Sequence, residues 1–482
     1  MWNKREPVMR NFFTSFWLWI FLLPLALDYK AADDARSHLA QILLVIPVLG
    51  AGFVLELIAP RFARKAKLRS IVSVAVMVTV LGSIVPQLLE GNDFGNYLRV
   101  LLPFLLFLLG YRVMCHPWHE QRIGQIEKAL FWANVLCLLF TLVYGMKTTA
   151  TGLDDVRYRI VSPTFLVLQA ALLHEFVIAK RFTKFSIFIF MITVVIELLS
   201  VTRSLMLGTL LLLMLATWLG APSIHRLMRA VLRAALVAVI CGAVIAGGAS
   251  FFPTVAEHWT IRMSASKATE SGRDPTTITR LAEMKDQYDQ ITSSPDSLLF
   301  GKGYGHYYRY SPSYLPDLAG QISAKDFYAI HEWFAGHNFW VYQLFAGGIV
   351  FGLALPLALL YSLYRCCIAY RKWRAVAPNS LYLPVMGRAI LMVAALPATS
   401  IGGNPLGPRF AGLVFGVALG LMISMHAHLH RMHVARTRRA MPINVARARL
   451  NAGVTGVKGM PHLPGVPGVT RVPGSSGMPG MQ

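Results

Sequence analysis

The chain has 482 residues, of which 55% are hydrophobic and 14% charged, with mean hydropathy +0.52 and a formal net charge of +23. A soluble protein of this size carries about a quarter charged residues, so a soluble globular fold is excluded. The basic excess raises nucleic acid as a partner, but phosphate-backbone binding needs basic residues gathered on a folded soluble domain; none is present, and no nucleic acid is expected.

The charge is confined between apolar runs about 17–25 residues long, the length that crosses a hydrocarbon core. Twelve membrane spans are predicted, near 11–27, 39–58, 70–89, 97–114, 129–146, 161–179, 185–201, 204–220, 234–252, 338–363, 386–400 and 406–427. The expected fold class is therefore all-α, a polytopic membrane protein. The opening MWNKREPVMRNFFTSFWLWIFLLPLAL has the make-up of a signal peptide, but no convincing small-x-small site follows it, and a retained helix makes the alternation of sides work. With the N-terminus inside, 61-RFARKAKLR-69, 180-KRFTK-184, 226-RLMRAVLR-233, 365-RCCIAYRKWR-374 and 431-RMHVARTRR-439 all fall on the cytoplasmic side, as the positive-inside bias requires. The expected organisation is nine spans in 1–252, a large outer loop at 253–337, three spans in 338–430 and a basic cytoplasmic tail at 431–482. From about 440 the tail turns Gly- and Pro-rich and is expected to be disordered.

Cys115, Cys137, Cys241, Cys366 and Cys367 lie in spans or at inner ends. An outer disulfide framework is excluded, and no zinc-ligand spacing appears.

The loop 253–337 holds Trp259, Trp333 and the apolar patch Leu298-Leu299-Phe300, so it is no linker. The pattern of 276-TTITRLAEMKDQYDQITSS-294 predicts a helix, with Met284, Tyr288 and Ile291 near one face and 294-SPDS-297 as its end. The glycines of 301-GKGYGHYYRY-310 permit close backbone approach to a ligand; a phosphate cradle and a packed turn are both open. Basic residues recur on this side: Arg262, Lys267, Arg273, Arg280, Lys285 and Lys302, with Arg157 and Arg159 in 147-KTTATGLDDVRYRI-160. Arg203, with only Thr202 beside it between two apolar runs, either faces a polar partner or snorkels to the interface.

In 331-HEWFAGHNFWVYQLFAGGIVFGLALPLALLY-361, His337-Asn338 stands at the start of a span. A helix start offers unpaired N–H groups that favour an anion. Histidine accepts a proton near neutral pH, and arginine grips phosphate oxygens in a bidentate way. Together they suit transfer chemistry with a diphosphate leaving group on a lipid.

His337 and 338–361 resemble the "HN, apolar, G-I-hydrophobic-G" signature of the O-antigen ligase and O-antigen polymerase superfamily. Upstream, 293-SSPDSLLFGKGYG-305 resembles that family's "sPlfG-x-G-x-G" stretch, the segment opening at Arg280 its loop-arginine helix, and 199-LSVTRSLMLG-208 its "S-x-SR-G-x-x-L-G" segment, with Arg203 on the arginine. The similarity covers about 160–365. Thr202 stands where the family often has serine, and Met284 where a tryptophan often follows the loop arginine, which leaves Arg273 and Arg262 as competitors to Arg280.

The resemblance implies a C-type membrane glycosyltransferase in the bacterial inner membrane, working at the periplasmic leaflet without metal, nucleotide sugar or other cofactor. Its partners would be an undecaprenyl-diphosphate-linked glycan, an acceptor and membrane lipids. A ligase passes the glycan to lipid A–core; a polymerase passes it to a carrier-linked repeat unit; both remain open. Arg203 and Arg280 would bind the diphosphate, and His337 would orient or deprotonate the acceptor hydroxyl, with inversion. Arg262, Arg273, Arg157, Arg159 and Asn338 would extend the substrate surface, and Tyr304 and Tyr307 would stack on sugars. The competing class is a polysaccharide flippase, which would more often show helices broken near the midplane.

Overall fold

The computed structural model describes residues 8–28, 35–62, 66–148, 162–200, 202–221, 274–318 and 334–454, with isolated residues in 222–273 and 319–333. Among them the secondary structure is helical, with no β-strand. In chain order the helices are α1 (Val8–Leu22, extended by a 3-10 turn Leu23–Leu27), α2 (Ala35–Ile58), α3 (Lys67–Gly82), α4 (Ile84–Glu90), α5 (Phe94–Met114) and α6 (Glu120–Thr148). They continue as α7 (Ser162–Leu173, prolonged by a π turn His174–Ile178), α8 (Lys184–Leu199), α9 (Arg203–Gly220), α10 (Pro275–Ile291) and α11 (Pro295–Phe300). The last are α12 (Phe339–Gly347, running into a π turn Gly348–Gly352), α13 (Ala354–Val376), α14 (Tyr382–Thr399) and α15 (Ala411–Val454).

Six of these stretches are long and apolar enough to cross a membrane, or seven with the α12–α13 pair counted as one. The predicted spans at 11–27, 39–58 and 161–179 correspond to the shorter apolar helices Phe12–Leu27, Ile42–Ile58 and Pro163–Ile178. The predicted span 185–201 corresponds to the 16-residue α8, and 234–252 lies outside the described residues.

Two expectations need correction. The run 338–363 is not one straight span: α12 and α13 meet at 84°. Glycines allow the break, since Gly348 has φ +60°, a backbone conformation open to glycine at little cost. Thr79 satisfies it from α3, its hydroxyl donating to the Phe351 carbonyl (2.9 Å) and accepting from the Leu355 amide (3.2 Å). In the tail, helix α15 persists to Val454, so disorder from about 440 does not hold up to that point. The chain divides after His430 into a main unit and a C-terminal one.

The centre of the main unit is the first part of α15, 89% of whose membrane-length window is buried. Gly412, Gly416 and Gly420 lie one turn apart on α15, and a Cβ at Gly416 would stand 2.2 Å from the Phe107 carbonyl oxygen of α5. This small-xxx-small seam lets two backbones touch, the usual solution where lipid removes any hydrophobic drive between helices. Side chains left exposed, such as Ile46 and Phe53 on α2, Phe188 and Met191 on α8 and Leu210 and Met214 on α9, present the apolar surface that hydrocarbon requires.

The helix ends fall into two groups. At one end Arg374 donates to the Leu219 carbonyl, Ser424 to the His116 carbonyl, and His116 meets Glu56. At the other, Asn92 and Asn96 reach the glycine-rich segment, Trp340 reaches Ser400, and Asn404 reaches Gly336. The candidate site lies at this second end.

Candidate functional site

Helix α10 organises the site. Asp274 caps it, accepting from the Thr277 amide, and Pro275 opens the first turn, where its missing N–H costs nothing. Ile278, Ala282 and Ile291 form the buried stripe, and Ile278 packs under Tyr310, Tyr314 and Leu315. Two polar residues, Glu283 and Gln287, are fully buried on that same face.

Glu283 collects donors on both oxygens. Its Oε1 accepts from the backbone N–H of His337 (2.7 Å), with the Tyr308 hydroxyl at 3.0 Å and Gln287 Nε2 at 3.3 Å; its Oε2 accepts from His337 Nδ1 (2.9 Å) and Arg280 Nη1 (3.2 Å). Burial alone pushes this carboxyl up. The hydrogen bonds and charge of His337, with Arg280, outweigh burial and hold it below the ordinary value of 4.5. Burial, with the Glu283 charge beside it, pushes the Tyr308 phenol up, so that hydroxyl keeps its proton.

An ionised carboxylate can only accept, so the hydrogen on Nδ1 of His337 is fixed there. In the neutral ring the basic lone pair is then on Nε2. The His337 side chain is 32% exposed and that of Arg280 34%. The arrangement is an imidazole held in one tautomer by a buried anion, the geometry a general base requires.

Arg203 opens α9, and its Nη2 donates to Asp274 Oδ1 at 2.9 Å. Burial pushes the Asp274 carboxyl up, but Arg203 and Thr277 outweigh it and hold it below the ordinary 3.8. Arg203 and Arg280 are thus both tied to α10, near its cap and about one and two-thirds turns further on. A single turn after α14 mounts the two helix starts. Ser400 accepts from Trp340 of α12, Asn404 reaches the carbonyl just before His337, and a Cβ on Gly402 would stand 2.2 Å from Ser204 Cβ of α9. Arg203, Arg280 and His337 therefore share one end of the bundle.

Other expected site residues fall differently. The glycine-rich segment is a packed turn: Gly301, Gly303 and Gly305 have φ of +81°, +87° and +80°. The amides of Lys302 and Gly303 donate to the Phe345 and Ala346 carbonyls at the end of α12, so they do not cradle a phosphate. Tyr304 is 2% exposed, stacked on Phe104 at 4.8 Å, with its hydroxyl on Gln343; no sugar can stack on it, and its expected substrate role is withdrawn. Tyr307 is 42% exposed and hydrogen-bonded to Asn96. Asn338 is a helix cap: its Oδ1 accepts from the Trp340 and Val341 amides, the groups that had been expected to favour an anion. Lys302 pairs with Glu90, and Lys285 with Asp289. Arg262, Arg273, Arg157, Arg159, Lys267 and His331 lie outside the described residues.

Sequence reasoning missed Glu283, Asp274 and Arg99. The guanidinium of Arg99 lies 5.3 Å over the Phe334 ring, three residues before His337. Its signal was an arginine inside the apolar run of α5, the same signal that singled out Arg203. Asp274-Pro275 is a helix-start signature. Glu283 lay off the face expected for the predicted helix (Met284, Tyr288 and Ile291); the signal that could have found it was a carboxylate beside the apolar pair Ile278 and Ala282.

No protein-family model matches the chain. No curated protein sequence matches it either. The described structure is that of a helical bundle with several segments able to span a membrane, with a histidine–glutamate pair and two arginines gathered at one end.

Proposed function

We propose that the chain is a metal-independent, inverting membrane glycosyltransferase that moves a glycan from an undecaprenyl-diphosphate carrier to a sugar hydroxyl, as an O-antigen or exopolysaccharide polymerase or a ligase to lipid A–core. In this reading the protein crosses the bacterial inner membrane twelve times, with the His337 end facing the periplasm. The observation that carries it is the oriented imidazole of His337, backed by buried Glu283 and flanked by Arg280, at the end that also holds Arg203.

The proton of the acceptor hydroxyl goes to Nε2 of His337 as the acceptor oxygen bonds to the anomeric carbon. The bond from that carbon to the diphosphate oxygen breaks with its electron pair on the leaving oxygen. Arg203 and Arg280 meet the charge that grows there, a preorganised electrostatic contribution of the kind that dominates many enzymes. The imidazolium is stabilised by Glu283 behind it. Each arginine already has one carboxylate partner, so a diphosphate completes a mixed network rather than entering a purely cationic pocket.

The test uses purified protein, a lipid-diphosphate glycan and an acceptor. Larger glycans and free carrier diphosphate are expected, both lost in His337→Ala and Arg203→Ala at equal protein level; normal product from both variants would refute the reading. In a deletion strain, single repeats on the lipid anchor indicate a polymerase, and bare core with carrier-bound long chains a ligase. The flippase reading draws on the 84° break between α12 and α13. That break is closed by the Thr79 hydroxyl and packed by backbone amides of the glycine-rich turn, whose Lys302 side chain is paired with Glu90. A flippase would relocate the carrier-linked glycan without releasing carrier diphosphate.

A further inference from the structure

One buried carboxyl takes no part in this chemistry. Glu197, near the end of α8, is 5% exposed, and its hydrogen-bond partners are two uncharged side chains. Gln169 Nε2 of α7 lies 2.9 Å from Glu197 Oε2; Thr209 Oγ1 of α9 lies 2.9 Å from Glu197 Oε1 and 2.6 Å from Gln169 Oε1. The three residues form a closed ring with three contacts.

Each contact needs one hydrogen. The amide of Gln169 supplies it to one contact only, because its other end is a carbonyl, and the Thr209 hydroxyl supplies one more. A carboxylate supplies none, which leaves two acceptors face to face. Exchanging the amide oxygen and nitrogen, which are assigned from the network, only moves the deficit to another edge of the ring. Gln169 Nε2 also reaches Thr193 Oγ1 (3.4 Å), whose own hydrogen goes to the Phe190 carbonyl, so no further hydrogen enters from there. The charged groups of the packed helices are engaged elsewhere: Arg203 with Asp274, and Glu175 with His174 and with Arg388 of α14. Lys184 is at the opposite end of α8.

We propose that Glu197 is a proton-binding site within the membrane: its carboxyl carries one proton at neutral pH, donated within the Glu197–Thr209–Gln169 ring. The neutral acid joins α7, α8 and α9 about one and two-thirds turns beneath Arg203. Losing the proton sets two oxygens against each other inside an apolar bundle, where a buried anion is costly, and opens one of the three contacts that close the ring. The inference does not depend on the glycan-transfer reading.

Infrared spectroscopy of the full-length protein at neutral pH tests it. Subtracting the spectrum of Glu197→Gln from wild type is expected to reveal one protonated-carboxyl C=O stretch that the variant lacks. A difference confined to carboxylate bands would overturn the proposal. Thr209→Val gives a second arm, because it removes the ring's acceptor and should shift that band to higher frequency; an unmoved band would mean the ring is wrong. Since folding then takes up a proton, the wild-type melting temperature should fall on going alkaline by more than that of Glu197→Gln; equal falls would count against the site.

Discussion

Among the described residues, two of the clusters that combine arginine, glutamate and histidine, one around His337 and one around His174, do opposite things. At one end Glu283 orients His337 while Arg280 stands alongside, with the side chains of both partners about one-third exposed. Towards the other end Arg388 grips Glu127 with two nitrogens (2.7 and 2.8 Å) and Glu175 with a third (2.8 Å), and Glu175 meets His174. There the imidazole is 1% exposed, and a Cβ on Gly387 would fall 2.7 Å from its Nε2. The residue types match and the exposure does not. Around Arg388 only the histidine is sealed, and the partly exposed arginine and glutamates brace α6, α7 and α14; around Glu283 it is the carboxylate that is sealed, and the histidine and arginine are open to one side.

The sharpest way to break this contrast is His337→Ala. Loss of an aligned general base is expected to lower transfer by about 10²–10⁴-fold, with the yield of folded protein unchanged. His174→Ala should instead lower stability and leave the rate per folded molecule alone. A rate loss in the second variant, or a folding loss in the first, would erase the distinction. Arg388→Ala comes next. Removing one partner of a buried ionic group costs about 3–5 kcal/mol, and the lower end applies because the arginine side chain is 21% exposed. Denaturant unfolding in detergent measures it, and a change near zero would show the far cluster to be dispensable.

Glu283→Gln sharpens the comparison by keeping the shape and removing the charge. A charge-assisted hydrogen bond contributes about 1.5–3 kcal/mol, so a loss of roughly 10–100-fold in transfer rate is expected, smaller than for His337→Ala. An undiminished rate would mean that Glu283 only packs. The smallest effect is that of acid. Glu283 and Asp274 are held below their ordinary values of 4.5 and 3.8, so the unfolded chain binds protons more readily than the folded one. The stability they contribute is fully present above about pH 4.5 and is lost as pH falls through the folded values. Hydrogen exchange of the α10 amides should quicken over that acid range, and less so in Glu283→Gln.

What the sequence made legible follows from period and charge. The helix within 276–294 was readable and appears as Pro275–Ile291, but its expected face was not: Tyr288 is exposed, Met284 half-buried, and the buried stripe is Ile278, Ala282 and Ile291. The cost of an arginine between apolar runs singled out Arg203 but left a polar partner and snorkelling both open; the structure gives it Asp274 as partner. Hydropathy marks length and not direction, so the bend between α12 and α13 was invisible; it depends on Gly348 and on Thr79 from a distant helix. The role of Tyr304 was misread for a related reason, because an aromatic in a glycine-rich loop looks the same whether it meets Phe104 or a sugar. Glu283 was missed because a carboxylate on an apolar stripe gains its meaning from His337, which lies far along the chain.

The glycine seam between α5 and α15 limits how the molecule can move. Side chains in contact can change rotamer and let helices slide, whereas backbones pressed together at Gly412 and Gly416 have no such slack. Helix α5 carries Asn96 and Arg99 towards the site, and α15 begins just after the turn on which α9 and α12 are mounted. The His337 end is therefore anchored to an incompressible spine, and any movement there has to be taken up by the outer helices.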